Sequence, residues 1–229
     1  MTAARLVSLF VVLLAVPAHA RAQVFLGPDT PRAGSWEASG GVIWTNGFTG
    51  ADRAAELTRN GESSGGFDLF TSEPEMANGA GAGARLGYYL SRSVSVEGGL
   101  RYSKPRLSYR LSGDAEEAVA VTAEETLTRY VFTGSLVMHF RQATATQRLI
   151  PFIAAGAGYI RDLHEGNELV ETGTEYHVGG GVKYWFAAAR TKFGFRGDVG
   201  VSISDGGFDL RTHQSRTLPL ASASLIVLF

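Results

Sequence analysis

Few side chains in the sequence stand at a spacing that suits catalysis or metal binding. His213 and Ser215 are two residues apart, so on a strand the base and the hydroxyl would share one face, as hydrolysis by an activated serine requires. No glutamate follows in the last part of the chain to orient the histidine, and we interpret the pair as part of a polar loop. His139 and His177 lack the further ligands of a metal site. We therefore predict no catalytic residue, no metal site and no cofactor.

A larger set of ionisable side chains recurs at alternate positions, opposite apolar residues. In the clearest run, Lys192 and Arg196 share one parity, whereas Phe193 and Phe195 share the other. This alternation is typical of strands with one apolar and one polar face. The residues that parity assigns to the polar face are Glu37, Arg85, Glu97, Arg101, Arg129, His139, Arg141, Glu175, His177, Lys183, Lys192, Arg196 and Asp198. In a closed barrel these charges would form a paired interior network, because unpaired buried charges are costly.

Eight such runs follow one another, without a pattern of helical period and length. They are 12 to 18 residues long, which exceeds the usual length of strands in soluble proteins and suits tilted strands that cross a bilayer. The predicted strands are Ser35–Asn46, Asn78–Leu90, Val94–Leu111, Thr126–Arg141, Leu149–Asp162, Thr172–Ala187, Arg190–Ser204 and Thr217–Phe229. The apolar parity shifts after Pro105, which predicts a β-bulge inside the third strand.

Aromatic positions and connection lengths favour a membrane barrel over a soluble one. The aromatic residues that lie on the apolar parity near strand ends, as in the interfacial girdles of membrane barrels, are Trp36, Trp44, Tyr88, Tyr102, Tyr130 and Tyr184. Long and short connections alternate, beginning with residues 47–77, as expected for long outer loops and short periplasmic turns. The four long connections carry 16 acidic and 4 basic residues, a sum of 4 − 16 = −12. We predict acidic extracellular loops.

The N-terminus has the pattern of an export signal. Arg5 precedes an apolar stretch, Leu6–Val16, and small residues that suit cleavage end at Ala20 and Ala22. We therefore predict a secretory signal peptide at residues 1–22, a periplasmic lead at 23–34 and a barrel at 35–229. The chain is 45% hydrophobic with a net charge of −1 and no cysteine, which excludes a disordered chain, a disulfide framework and a general attraction to nucleic acid.

The C-terminus ends in Phe229, with Val227 and Leu225 on the same parity. This ending resembles the last-strand signal that the outer-membrane assembly machinery recognises. Together with the strand pattern, it makes residues 35–229 resemble the OmpA-like and OmpX-like family of eight-stranded outer-membrane barrels. The resemblance implies an all-β fold, an eight-stranded antiparallel up-and-down transmembrane barrel that is monomeric in the outer membrane. It also implies contact with outer-membrane lipid, lipopolysaccharide and the assembly machinery, and the family has no shared catalytic residues.

Several functions remain open from the sequence. We expect a structural or surface-interaction role through acidic loops, with surface ligands bound by loop 47–77 and the interior plugged by charges. A narrow channel for ions or small solutes is the main alternative. A lipid A-modifying enzyme is a weaker one, since His213 and Ser215 resemble the His-x-Ser of lipid A deacylases. A soluble periplasmic binder of lipocalin type would show the same alternation, with its charges facing water.

Overall fold

The part of the chain that the structure describes consists of β-strands joined by short connections. This computed structural model describes residues 31–49, 53–57, 67–112, 121–140, 148–164, 169–186, 192–206 and 216–229. The strands are β1 (Trp36–Thr45), β2 (Phe48–Thr49), β3 (Arg53–Leu57), β4 (Phe67–Met76), β5 (Gly79–Tyr89), β6 (Val94–Ser103), β7 (Arg106–Ser112), β8 (Val121–Thr126), β9 (Thr128–His139), β10 (Leu149–Leu163), β11 (Val170–Phe186), β12 (Lys192–Gly206) and β13 (Arg216–Leu228). Across these ranges, no helix has the length and apolar character needed to cross a membrane.

Eight of these strands close into an antiparallel barrel. Their order is β1–β13–β12–β11–β10–β9–β6–β5, and β5 pairs again with β1. The first and last strands meet with Glu37 opposite Leu228. Beyond that pair, the main chains of Trp36 and Phe229 exchange hydrogen bonds of 3.2 and 2.8 Å. The predicted all-β fold with eight antiparallel strands is confirmed.

The two faces of the barrel wall differ sharply in polarity. Val178 and Phe195 point outward and are each 54% exposed, whereas Lys183 and Arg196 point inward and are 0% and 3% exposed. Alternation places successive side chains on opposite faces of a strand, so an apolar exterior and an ionic interior follow from one pattern. A buried apolar cluster lies inside the end that carries the short turns; it consists of Tyr89, Ile150, Trp185, Ile226 and Leu228.

A second, smaller sheet continues from the other end of the barrel. It contains β2, β4, β7 and β8 in that order, with β3 also paired to β4. The connection 47–77 was predicted as a loop, and that prediction is incomplete, because the residues described there form β2, β3 and β4. Strands β4 and β7 are paired over six positions, from Thr71 opposite Ser112 to Met76 opposite Leu107. The sheet therefore joins the first two long connections into one structure.

Pro105 marks the place where the third predicted strand leaves the barrel. The predicted β-bulge is wrong: β6 ends at Ser103, and β7 begins at Arg106 in the smaller sheet. Proline has no N–H to donate to a ladder, and the Pro105 carbonyl accepts a hydrogen bond of 3.0 Å from the Leu127 N–H. The same transition splits the fourth predicted strand at Leu127, between β8 and β9. The shift in apolar parity thus reports a change of sheet.

Candidate functional site: the charged interior of the barrel

Lys183 is the centre of a buried ionic cluster near the turn end of the barrel. Its Nζ donates to the two carboxylate oxygens of Glu37 at 2.7 and 2.9 Å. It also lies 3.3 Å from Oε1 of Glu97 and 3.3 Å from the hydroxyl of Tyr89. That hydroxyl donates to Glu37 at 2.6 Å. The Lys183 side chain is 0% exposed, so these contacts replace all of its hydration.

Arg196 extends this cluster along the barrel axis. Its Nη1 donates to Glu97 at 2.7 Å, and its Nη2 lies 3.0 Å from Asp198. Arg85 lies 3.5 Å from the same Asp198 carboxylate, and the guanidinium of Arg196 stacks 4.5 Å from the ring centre of Phe152. Three carboxylates and three cations therefore alternate without net charge. The cations and anions of this cluster therefore neutralise one another inside the barrel.

The middle of the barrel contains a second group of polar side chains. Arg101 forms an ion pair with Glu175, and the ring of His177 lies between Glu175 (3.5 Å from Nδ1) and the Ser135 hydroxyl (2.9 Å from Nε2). A hydroxyl, a base and a carboxylate thus stand in series, which is the order that an activated serine uses. Ser135 opens only into a cavity of about 60 Å³, which Arg85 also lines. This volume suits a few water molecules.

A second cavity of about 30 Å³ lies further toward the smaller sheet. Arg101 lines both cavities, and Glu175 and Arg129 line the second. Arg101, which pairs with Glu175, therefore lies where two small interior spaces adjoin. Beyond it, Arg129 binds Asp162 through two hydrogen bonds of 2.7 Å, and the Asp162 side chain is 0% exposed.

The remaining predicted network residues take less central positions. The His139 ring is 3.0 Å from the Ser95 hydroxyl and stacks on Tyr89 with 5.1 Å between ring centres. Lys192 is half-buried at the start of β12, on the inward parity. Arg141 lies outside the described residues, as do His213 and Ser215.

Two important partners were missed in the sequence. Asp162 shares its parity with Phe152 and Ile160, which are buried inside the barrel. The neighbouring apolar pair of Phe152 and Ile153 hid this alternation. Tyr89 could have been predicted to point inward, since it is the one tyrosine that does not lie on the apolar parity of its strand. In the structure it is 1% exposed and lies in the interior.

The predicted girdle residues occupy the two ends of the barrel wall. Trp36 packs on Tyr88 at the turn end, with ring centres 4.9 Å apart, and Tyr102 packs on Tyr130 at the other end, at 5.3 Å. Tyr184 stands near the turn end of β11, and Trp44 stands near the opposite end of β1. Of the residues in the assembly pattern, Phe229 and Leu225 are 72% and 57% exposed, and Val227 is partly buried.

Metal binding has no support within the described ranges, where no group of three or more His, Asp or Glu side chains is arranged to hold an ion.

Comparison with known proteins gives a fold and no closer relationship. No family model matches the chain, and no curated protein matches it in sequence. The outer membrane protein OprG from Pseudomonas aeruginosa is similar in structure, with a TM-score of 0.50 over 86% of this chain and 97% of that chain. The chain has the fold of an eight-stranded outer-membrane β-barrel. Sequence identity with OprG is 11%, so this similarity establishes the fold and no shared role.

Two further barrels cover similar spans with lower structural scores. The N-terminal β-barrel domain of Pseudomonas aeruginosa OprF is 15% identical over 87% of this chain and 100% of that domain, with a TM-score of 0.40. Neisserial surface protein A is 12% identical over 86% of this chain and 97% of that chain, also with a TM-score of 0.40.

Proposed function

We propose that this protein is an integral outer-membrane barrel that is closed to solutes and presents its smaller, acidic sheet outside the cell. The observation that carries the proposal is the pairing of every charge in the Lys183–Arg196 cluster inside a wall whose outer face is apolar. An apolar outer face is stable in contact with lipid, whereas its exposure to water is unfavourable. The aromatic rings at both ends of the wall support the same orientation, because Trp and Tyr favour membrane interfaces.

The interior supports a plug and not a catalytic or general transport role. Eight strands enclose a space that side chains fill, and the two cavities of about 60 and 30 Å³ both contact Arg101. Ser135, despite its contact with His177, opens into the first of these small spaces, which a lipid-sized ester cannot enter. We therefore propose a structural or surface-interaction role, in which recognition resides in the external sheet.

Single-cysteine labelling in whole cells tests the membrane location and its direction. The chain has no native cysteine, so Ala123→Cys in β8 and Arg92→Cys in the short turn after β5 each introduce one thiol at an exposed position. A membrane-impermeant maleimide should label the first variant in intact cells and the second only after lysis. The two sites are matched in exposure and differ only in the end of the barrel. Labelling of both variants only after lysis would contradict the proposal.

A narrow channel is the second candidate, favoured by two cavities inside the barrel that both contact Arg101. Planar-bilayer recording separates the two functions. For the closed barrel we expect no conductance steps at any applied voltage, because the ionic cluster and the apolar cluster around Trp185 both block the axis. Reproducible conductance steps would contradict the closed barrel. If the size of these steps also changes in Arg101→Ala, which removes the ion pair with Glu175, the result would support the channel.

A further inference from the structure

The smaller sheet adjoins the barrel at a buried group of apolar side chains. Met76, Leu107 and Leu127 form a buried cluster between the sheet and the barrel, the last two with 0% exposure, and Phe48 and Tyr109 pack against it. The chain itself joins this sheet to β1, β5, β6 and β9. Strands β10 to β13, the other half of the barrel, have no direct chain connection to it among the described residues. Side-chain contacts must therefore hold the sheet to that half of the rim.

Among the described residues, side-chain contacts at both flanks make this connection. Arg216, at the start of β13, stacks on Phe48 of β2 with 4.2 Å to the ring centre. His164, which follows β10, contacts Glu125 of β8, with Nδ1 at 3.0 and 3.1 Å from the two carboxylate oxygens. On its other side, Nε2 of His164 lies 3.5 Å from Glu171 of β11. The His164 and Glu171 side chains are only 10% and 6% exposed.

The protonation state of His164 determines how well this contact can form. An imidazolium has an N–H on both ring nitrogens, so it can donate to one carboxylate on each side. A neutral imidazole has a single N–H, and one of the two carboxylates then faces a lone pair.

The electrostatic surroundings favour the protonated form. Burial alone lowers the pKa of His164, but the hydrogen bond and charge of Glu125, together with the nearby charge of Glu171, outweigh it and raise the pKa above the ordinary 6.5. Tyr109 of β7 faces both carboxylates; burial and their charges raise its pKa to about 12, so the phenol stays neutral. Arg129 of β9 also interacts electrostatically with Glu171. Within physiological pH, His164 is therefore the group in this contact that changes charge.

We propose that the Glu125–His164–Glu171 contact is a proton-operated latch that holds the smaller sheet against the β10–β11 side of the barrel mouth. Its stabilisation is complete below the ordinary pKa of histidine and is lost as the pH rises through the raised value. The sheet is thus held in mildly acidic medium and released at this flank in alkaline medium.

Distance measurements between two spin labels test the latch. Nitroxides at Ala123→Cys on β8 and Thr172→Cys on β11, both exposed positions, report the gap between sheet and rim in lipid vesicles. We expect a narrow distance distribution at about pH 5 and a broader, longer one at about pH 9, with a midpoint above the ordinary value of about 6.5. His164→Gln, which keeps a polar side chain but cannot titrate, should lose the pH response.

A matched control separates the latch from a general charge effect. Glu124→Gln removes a carboxylate charge from the position next to Glu125 on β8, but Glu124 is 57% exposed and faces Arg106 at 3.7 Å, so this variant should leave the pH response unchanged. Identical distributions at both pH values, or an unchanged response in His164→Gln, would overturn the latch. Gel mobility of the unheated barrel at each pH verifies that the barrel itself stays folded. Labelling at the cell surface is a separate readout, so failure of the latch and failure of the proposed membrane location can be told apart.

Discussion

Replacing Lys183 with methionine should lower the free energy of unfolding by about 3–5 kcal/mol, the usual cost of removing one partner from a buried ionic contact. The variant keeps the length of the side chain and removes its charge. Glu37 then loses its close cation and has Arg196 at 4.0 Å, and Glu97 keeps its contact with Arg196 at 2.7 Å. Urea unfolding of the folded barrel in lipid vesicles, followed by fluorescence of its three tryptophans, measures the loss.

Two companion variants make the Lys183 result specific. Lys104→Met makes the same change at an exposed position and should shift stability by no more than about 0.5 kcal/mol. The double variant Glu37→Gln with Lys183→Met removes both members of the pair and should recover much of the loss, because an unpaired buried charge is costlier than none. A loss in Lys183→Met no larger than in Lys104→Met would show that the cluster does not stabilise the barrel.

An arginine at the middle of the barrel's outer face should also be strongly destabilising. Val178 is the central residue of β11 and is 54% exposed, so Val178→Arg would put a cation at the bilayer midplane, at a cost of about 2–4 kcal/mol. Phe186→Arg, at the end of the same strand and 41% exposed, reaches the interface and should cost about 0–1 kcal/mol. The same vesicle unfolding assay measures both variants.

The difference between these two positions tests the medium around the barrel. In a soluble barrel both side chains would face water, and an arginine at position 178 would be tolerated as well as one at 186. A depth-dependent loss therefore supports lipid around the wall, and equal small effects would favour the lipocalin-like alternative. This test is independent of the cell-surface labelling, because it measures the free energy of unfolding and not the cellular location of the protein.

Alternation of apolar and polar residues predicted much of the barrel. It failed where one stretch of chain passes from the barrel into the smaller sheet. Eight strands and the direction of each side chain followed from a period of two, which the backbone imposes on any strand. Pro105 was recognised as an irregularity, but a break between two sheets and a bulge within one produce the same shift of parity. Likewise, residues 47–77 show too little alternation to reveal that β4 pairs with β7.

The sequence alone determined which face of the wall most of the charges occupy, because that depends only on position along a strand. The inward direction of Lys183, Arg196 and Glu37 is of this kind. The tertiary structure alone decided which charges meet: Lys183 and Glu37 are 146 residues apart, and their contact depends on strand register and barrel closure. It also decided that His164 meets Glu125, since β8 belongs to the smaller sheet and His164 follows β10 of the barrel.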